Sequence, residues 1–366
     1  MCRKTYAEVS LNKLKNNAEQ IVNALPDDKK LFAVVKADAY GHGLVPCSKA
    51  FLAGGAYGLC VALAEEGAVL RKSGVQAPIL VLTPQNKDGI MLAAKNKITI
   101  SLHNLSSIEH IIEASKQYGD IELHIALNTG LNRDGLNSLE ELKQALLKIQ
   151  NHKAIHLTGV FSHFADAENT DESFSLKQIE SFKKYLEILP KGLLVHMSAS
   201  AAAQHYKQAI FDAVRCGISL YGYPPLKTKT QLTPALSLMA EISGVKTINA
   251  GESVGYSCTY TANKPTKVAT LAIGYADGLS RSLSNKGVVL VAGKRCPIIG
   301  SVCMDQLMVD VSGIENVKPG DTAVLIGTQG ESSISTEEMA SYSGTIVYEV
   351  FTALSQRLPK LYTTEE

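Results

Sequence analysis

A chain of 366 residues, 45% hydrophobic and 19% charged, is long enough for two cores and too apolar for disorder, and its formal net charge of +1 lacks the basic excess of a nucleic-acid binder. Its seven cysteines, Cys2, Cys47, Cys60, Cys216, Cys258, Cys296 and Cys303, are odd in number, scattered and free of any CxxC pair, which argues for reduced thiols and against a disulfide framework or a zinc site. The opening MCRKTYAEVSL has no apolar signal core, and no stretch is apolar for long enough to span a bilayer, so a soluble, cytoplasmic protein without a membrane partner is expected.

Taken in order, Ser10 can cap a helix whose apolar positions Leu11, Leu14, Ala18, Ile21, Val22 and Leu25 recur at helical spacing, closed by Pro26 and two aspartates. The next stretch, LFAVVKADAYGHG (31–43), reads as a buried strand that ends in Lys36 and a turn-rich segment. A desolvated amine there is costly unless paired or used, and it loses its proton readily enough to act as a nucleophile. Pairing with Asp38 or reaching solvent is the plainer reading of this stretch alone. Seven further apolar runs follow, at 57–63, 79–83, 98–102, 121–128, 155–161, 193–197 and near 214–220, with helical patterns between several of them, as in 107–118 and 139–149. Eight strands alternating with helices suggest a (β/α)8 TIM barrel, and no GxGxxG follows an early strand to favour a dinucleotide-binding sheet. After the turn-rich YGYPPLKTKTQLTP (221–234) the pattern becomes strand-like, with a hairpin in VVLVAGKRCPII around Gly293 and a late helix near Thr336. The expected fold is therefore α/β, with a barrel over residues 1–230 and a mostly-β domain over 231–366.

In a TIM barrel the active site gathers at the C-terminal ends of the strands. There the sequence places Lys36 and Tyr40 after the first strand, Arg133 after the fifth, His163 after the sixth, His196 and Ser200 after the seventh, and Arg215 with Gly217 after the eighth. Singly, His163 could be a core histidine, Arg133 a surface ion pair and Gly217 a turn glycine. Together, an amine to condense and several phosphate donors suit a phosphorylated aromatic aldehyde.

The segments AVVKADAYGHG, GVFSHFADAE, VRCGISLYG, GESVGYSCTY, AIGYADGLSR, GSVCMDQLMVD and YEVFTALSQRLP resemble the alanine racemase family of pyridoxal-phosphate enzymes over almost the whole chain. The resemblance implies a racemase interconverting L- and D-alanine, which supplies D-alanine for cell-wall peptidoglycan and acts as a homodimer with shared active sites. It implies that Lys36 holds pyridoxal 5'-phosphate as a Schiff base. Tyr40, Ser200, Gly217, Ile218 and Tyr348 would surround the phosphate, His163 would lie against the ring, and Arg215 would face the ring nitrogen. Racemisation is most simply done with two bases on opposite faces of the α-carbon; the resemblance makes them Lys36 and Tyr256, the latter from the partner subunit. His163, Arg215 and His196 would support that phenol. Arg133, Met304 and Asp305 would bind substrate, and Tyr275 and Arg281 would line the entrance.

The stretch HIALNTGLNRDGL departs from the family: Ala126 stands where a carbamylated lysine usually holds the arginine, and Asn128 replaces an aspartate. The ALN triplet is similar to that of broad-spectrum amino-acid racemases, so an anion such as chloride beside Asn128 and Arg133 is expected, and substrates larger than alanine stay open. HMSASA likewise has Ala199 where the family usually has asparagine. A decarboxylase of the same barrel class and a non-catalytic pyridoxal-phosphate-binding protein are the competing readings. The β domain speaks against the second of these, and Tyr256 in GESVGYS against the first.

Overall fold

The computed structural model describes residues 3–227 and 230–364. They form two compact units: residues 12–39 with 44–234, and residues up to Leu11 with 40–43 and the chain from Ala235 onward.

The first unit is built on eight parallel strands. The N-terminal strand of the chain, β1 (Tyr6–Ser10), is not among them; the eight are β2 (Lys30–Val34), β3 (Gly58–Val61), β4 (Ile79–Val81), β5 (Ile100–Leu102), β6 (Ile121–Ala126), β7 (Ile155–Phe161), β8 (Leu194–Ala199) and β9 (Ala213–Cys216). They pair in the order β4-β3-β2-β9-β8-β7-β6-β5. The ring closes where Thr99 bridges to Leu80, Val81 N donating to Thr99 O at 3.0 Å and Thr99 N to Ile79 O at 2.8 Å. Closure removes both sheet edges. Helices follow the strands because the intervening sequence repeats apolar residues at helical spacing and starts them with side-chain caps. Asn86 Oδ1 accepts from Gly89 N at 2.9 Å and Ser138 Oγ from Glu141 N at 3.1 Å, each contributing about 1 kcal/mol.

The second unit is antiparallel for the most part. Its sheet runs β15-β14-β17-β10-β1-β19, made of β1, β10 (Leu236–Ile248), β14 (Val288–Val291), β15 (Lys294–Pro297), β17 (Thr322–Gln329) and β19 (Lys360–Thr363). Strands β13 (Thr266–Leu271) and β16 (Leu307–Asp310) extend it from β10, and β18 (Ser332–Ile334) pairs with β17; a separate hairpin joins β11 (Ser253–Val254) and β12 (Tyr260–Thr261). Alternation fixes the buried face of β10: Leu236, Leu238, Ala240 and Ile242 point inward and their neighbours outward. The hairpin expected around Gly293 is present. Val291 pairs with Lys294 across Ala292 and Gly293, both at positive φ, the geometry whose twist matches a two-residue loop.

The expectation that residues 1–230 form one body differs from this grouping at two places. β1 pairs antiparallel with β10 (Tyr6 with Met239) and parallel with β19, burying Ala7 and Val9 in the second unit. Residues 40–43 also belong there: the His42 ring meets Phe351 edge-on at 4.7 Å, and a side chain on Gly41 would strike the Phe351 carbonyl. Among the described residues no disulfide forms, and Cys2 lies outside them. No described helix is long and apolar enough to cross a membrane.

Candidate active site

Lys36 opens an unusual turn. Ala37, Asp38, Ala39 and Tyr40 all have φ between 52° and 55°, one turn of left-handed helix without a glycine. Each such residue costs about 1–2 kcal/mol, so the conformation persists only if its surroundings enforce it. Several hydrogen bonds do so. Ala37 N donates to Glu66 Oε1 at 2.6 Å, Ala39 N to Val35 O at 2.8 Å, and Leu44 N to Asp38 Oδ1 at 2.7 Å. The turn sets Lys36 at the end of β2 with its amine held below its ordinary range, first by burial and then by the charge of Arg133.

A buried guanidinium organises the barrel interior. Arg215, within β9, donates from Nη1 to His196 Nδ1 at 2.7 Å and from Nη2 to Ser162 O at 2.7 Å, His163 Nδ1 at 3.0 Å and Met197 O at 3.0 Å. Arginine only donates, so both imidazoles must present an unprotonated Nδ1. His196 then carries its hydrogen on Nε2 and donates it to His124 Nδ1 at 3.0 Å. The chain of donors Arg215, His196, His124 fixes all three tautomers. His124 was not singled out from the sequence, where it looks like one more strand residue; an alanine at Gly159 would bring a Cβ within 2.5 Å of its ring.

Burial and then the charge of Arg215 hold His124 and His163 at about 3 and push His196 well below the ordinary histidine range. These imidazoles stay neutral in the folded chain while their unfolded counterparts take up protons near 6.5, so the stabilisation is complete above that pH and is lost as the pH falls towards 3. Acidification from 6.5 should therefore cost about 1.4 kcal/mol per pH unit for each histidine. Urea unfolding of the wild type and of His124→Gln at successive pH values checks this: the variant's slope should fall by about one proton, and an unchanged slope would contradict it.

Arg215 is held down to about 10, first by burial, and remains charged at neutral pH. Its four hydrogen bonds end on uncharged acceptors, and the neighbouring Cys60 and Cys216 thiols, pushed up by burial to about 12, are neutral as well. Lys36, Arg133 and Arg215 each lie within electrostatic reach of the others. Arg215, the buried member of this group, faces only neutral acceptors, and an anionic cofactor such as pyridoxal phosphate would supply the missing counter-charge. The chemistry fits in two further respects. Arg215's bonds all leave from the terminal nitrogens, so Nε–H is left over for an acceptor such as a ring nitrogen. Ser200 Oγ accepts from Gly217 N at 3.0 Å and Ser219 N at 3.4 Å, which ties the start of the Ser200–His205 helix to the turn at Ile218.

Of the residues singled out from the sequence, Lys36, Arg133, His163, His196, Ser200, Arg215, Gly217 and Ile218 belong to the barrel unit. His196 and Arg215 lie inside their strands and not beyond them, which buries both. Asn128 is on the barrel side too, but its amide hydrogens go to Asn132 Oδ1 at 2.9 Å and Asn137 Oδ1 at 2.8 Å. The others sit in the second unit, where the Tyr40 and Tyr348 rings lie 6.0 Å apart. There the 301–305 loop is a hub. Ser301 Oγ donates to Tyr256 O at 3.1 Å, Tyr275 N to Cys303 O at 3.1 Å and Ala276 N to Met304 O at 2.9 Å, while Ser284, ending the Arg281–Leu283 turn, receives Val302 N at 2.9 Å. Asp305 Oδ1 is engaged by Arg357 Nη2 at 2.7 Å. Tyr256 itself, at the tip of the β11–β12 hairpin, is 72% exposed.

Residues 9–225 match the family description "Alanine racemase, N-terminal domain" and residues 235–362 "Alanine racemase, C-terminal domain". The chain belongs to the alanine racemase family. Relatives of this family align along its whole length. It is 41% identical to the alanine racemase of Carboxydothermus hydrogenoformans over 98% of this chain and 100% of that one. Among solved structures it is similar to the alanine racemase of Bacillus anthracis with bound L-Ala-P, at 38% identity and a TM-score of 0.94, covering 99% of this chain and 95% of that chain. A histidine racemase from Leuconostoc mesenteroides is also similar, at 29% identity and a TM-score of 0.91, covering 99% and 98%. Full-length likeness at this level makes the chain an amino-acid racemase.

Proposed function

We propose that the protein is a pyridoxal-phosphate-dependent alanine racemase that works with two bases, Lys36 and Tyr256, as a cytoplasmic homodimer, and that it supplies D-alanine for cell-wall peptidoglycan. The observation that carries the reading is the cation cluster of Lys36, Arg133 and Arg215, whose most buried member faces only neutral partners. Names of full-length relatives carry the choice of alanine.

Pyridoxal phosphate, when bound, supplies the electron sink that acidifies the α-hydrogen of an attached amino acid. The chain's own residues do the rest. Lys36, whose amine is held below its ordinary range by burial, would be the residue that holds the cofactor's aldehyde, and its Nζ would take or return a proton on one face of the α-carbon. Arg215 would offer its Nε–H to the ring nitrogen; because a guanidinium keeps its proton, that nitrogen would stay unprotonated, which would weaken the sink and favour prompt reprotonation over side reactions. Ser200, Gly217 and Ile218, and by the family resemblance Tyr40 and Tyr348, would hold the phosphate. Tyr256 serves the opposite face. Its phenol is too exposed in one chain to work in that chain's own interior, which supports delivery into a partner's site. His163, His196 and Arg215 support that phenol, Arg133 and Met304 meet the substrate, and Tyr275 and Arg281 shape the approach. Asp305 is the weakest of this set, its carboxylate being already engaged by Arg357.

A broader substrate range is the second reading, favoured by Ala126 and Asn128 and by the likeness to a histidine racemase. D/L-resolved product analysis with alanine, serine, lysine and histidine separates the two. Alanine should be converted with the highest kcat/KM by at least about tenfold, the discrimination a shaped apolar pocket can supply. A profile flat across side-chain size would defeat alanine as the main substrate. Gas release in place of inversion would point to a decarboxylase.

A further inference from the structure

Arg133 is the exposed member of the cation cluster, with 60% of its side chain open to solvent and two positive neighbours repelling it. A guanidinium on such a stem needs a counter-charge to keep a direction. Asn128 cannot lend it a donor-linked anion, since both amide hydrogens are taken by Asn132 and Asn137 and its carbonyl oxygen receives Gly130 N and Asn132 N. The next residue in the chain supplies a carboxylate: Asp134 Oδ2 lies 3.5 Å from Arg133 Nε.

An ion pair between sequence neighbours at a surface is ordinarily worth little. This one has a buried anchor. Asp134 Oδ1 lies 3.2 Å from Nδ1 of His103, whose side chain is 2% exposed and packed edge-on against Phe161 at 6.0 Å. Neither ring nitrogen of His103 has a well-formed hydrogen bond among the described residues, so the carboxylate is the group available to satisfy a buried imidazole. The loop is also closed at its base. Leu136 N donates to Ala126 O and Asn128 N to Leu136 O, both at 2.9 Å, so Asp134 is held on a short, pinned arc.

We propose that Asp134, anchored on buried His103, is the built-in counter-charge that directs Arg133 towards Lys36, so that no free anion is needed beside Ala126. Both are positioning residues, and the proposal rests on the reading that Arg133 contacts the bound cofactor or substrate. A chloride ion placed beside Arg133 would have to share it with a carboxylate already there.

The test uses the loaded enzyme and the variants Asp134→Asn, Asp134→Gly, His103→Phe and Arg133→Ala, with cofactor affinity read from visible absorbance beside kcat and KM. Asp134→Asn and His103→Phe should weaken pyridoxal phosphate about tenfold, the loss of one charge-assisted contact, and raise KM more than they lower kcat. Asp134→Asn added to Arg133→Ala should change nothing further. Formate should restore Asp134→Gly, while wild-type turnover and absorbance stay the same when chloride is replaced by a bulky anion. Wild-type dependence on chloride overturns the proposal, as does an Asp134→Asn enzyme with unchanged affinity and KM while Arg133→Ala is impaired. If Arg133→Ala is itself unimpaired, the failure lies with the role of Arg133 in the proposed function.

Discussion

Lys36→Ala should give a folded, colourless protein that racemises alanine at least about 10⁴-fold more slowly in both directions, the upper range for loss of one positioned acid–base group. Two losses coincide in this residue. On the proposed mechanism the amine that would capture the cofactor is gone, and so is the base on one face of the α-carbon. The expectation depends on position as well as residue type: the left-handed turn from Ala37 to Tyr40 sets Lys36 where burial, and then the charge of Arg133, hold its amine below the ordinary lysine range. Added methylamine should return part of the activity by standing in for the base. Retained colour would mean that another amine captures the aldehyde.

Tyr256→Phe should behave differently. The barrel unit holds every group proposed to bind the ring, so the variant should keep wild-type colour. Net racemisation should fall by about 10²–10⁴-fold, and it must fall equally from either enantiomer, because the equilibrium constant of one fixes the ratio of the two kcat/KM values. The asymmetry appears in α-hydrogen exchange with solvent: the enantiomer whose hydrogen faces Lys36 should still exchange, while its mirror image should not. Equal exchange from both enantiomers would remove Tyr256 from its assigned role.

Much of the barrel was legible because strands such as β2, β3, β4 and β5 are almost wholly buried and read as short apolar runs, with helices of clear period between them. Lys36 stood out for the same reason, as a charge at the end of such a run. β1 was not legible. Five residues long, it draws its stability from Met239 and its neighbours, more than two hundred residues away, and nothing local announces that pairing. The turn after Lys36 was equally hidden, since alanine, aspartate and tyrosine carry no preference for four successive positive φ values. At the site, residue types with evident chemistry were found and their wiring was not. His124 became visible only when the registers of β6 against β7 and of β7 against β8 set it beside His196, and Asp134 only when its loop brought it to His103. Asn128, which looked free to help hold an anion, is spent on its own loop.

The central claim, that two bases on opposite faces racemise alanine, is met most directly by letting the wild-type enzyme act on L-alanine in deuterium oxide and analysing the first few per cent of product by chiral separation with mass detection. D-alanine should appear and should carry deuterium at the α-carbon from the outset, because the proton is delivered by a group other than the one that removed it. Absence of D-alanine, or early D-alanine that retains the original α-hydrogen, would contradict the account.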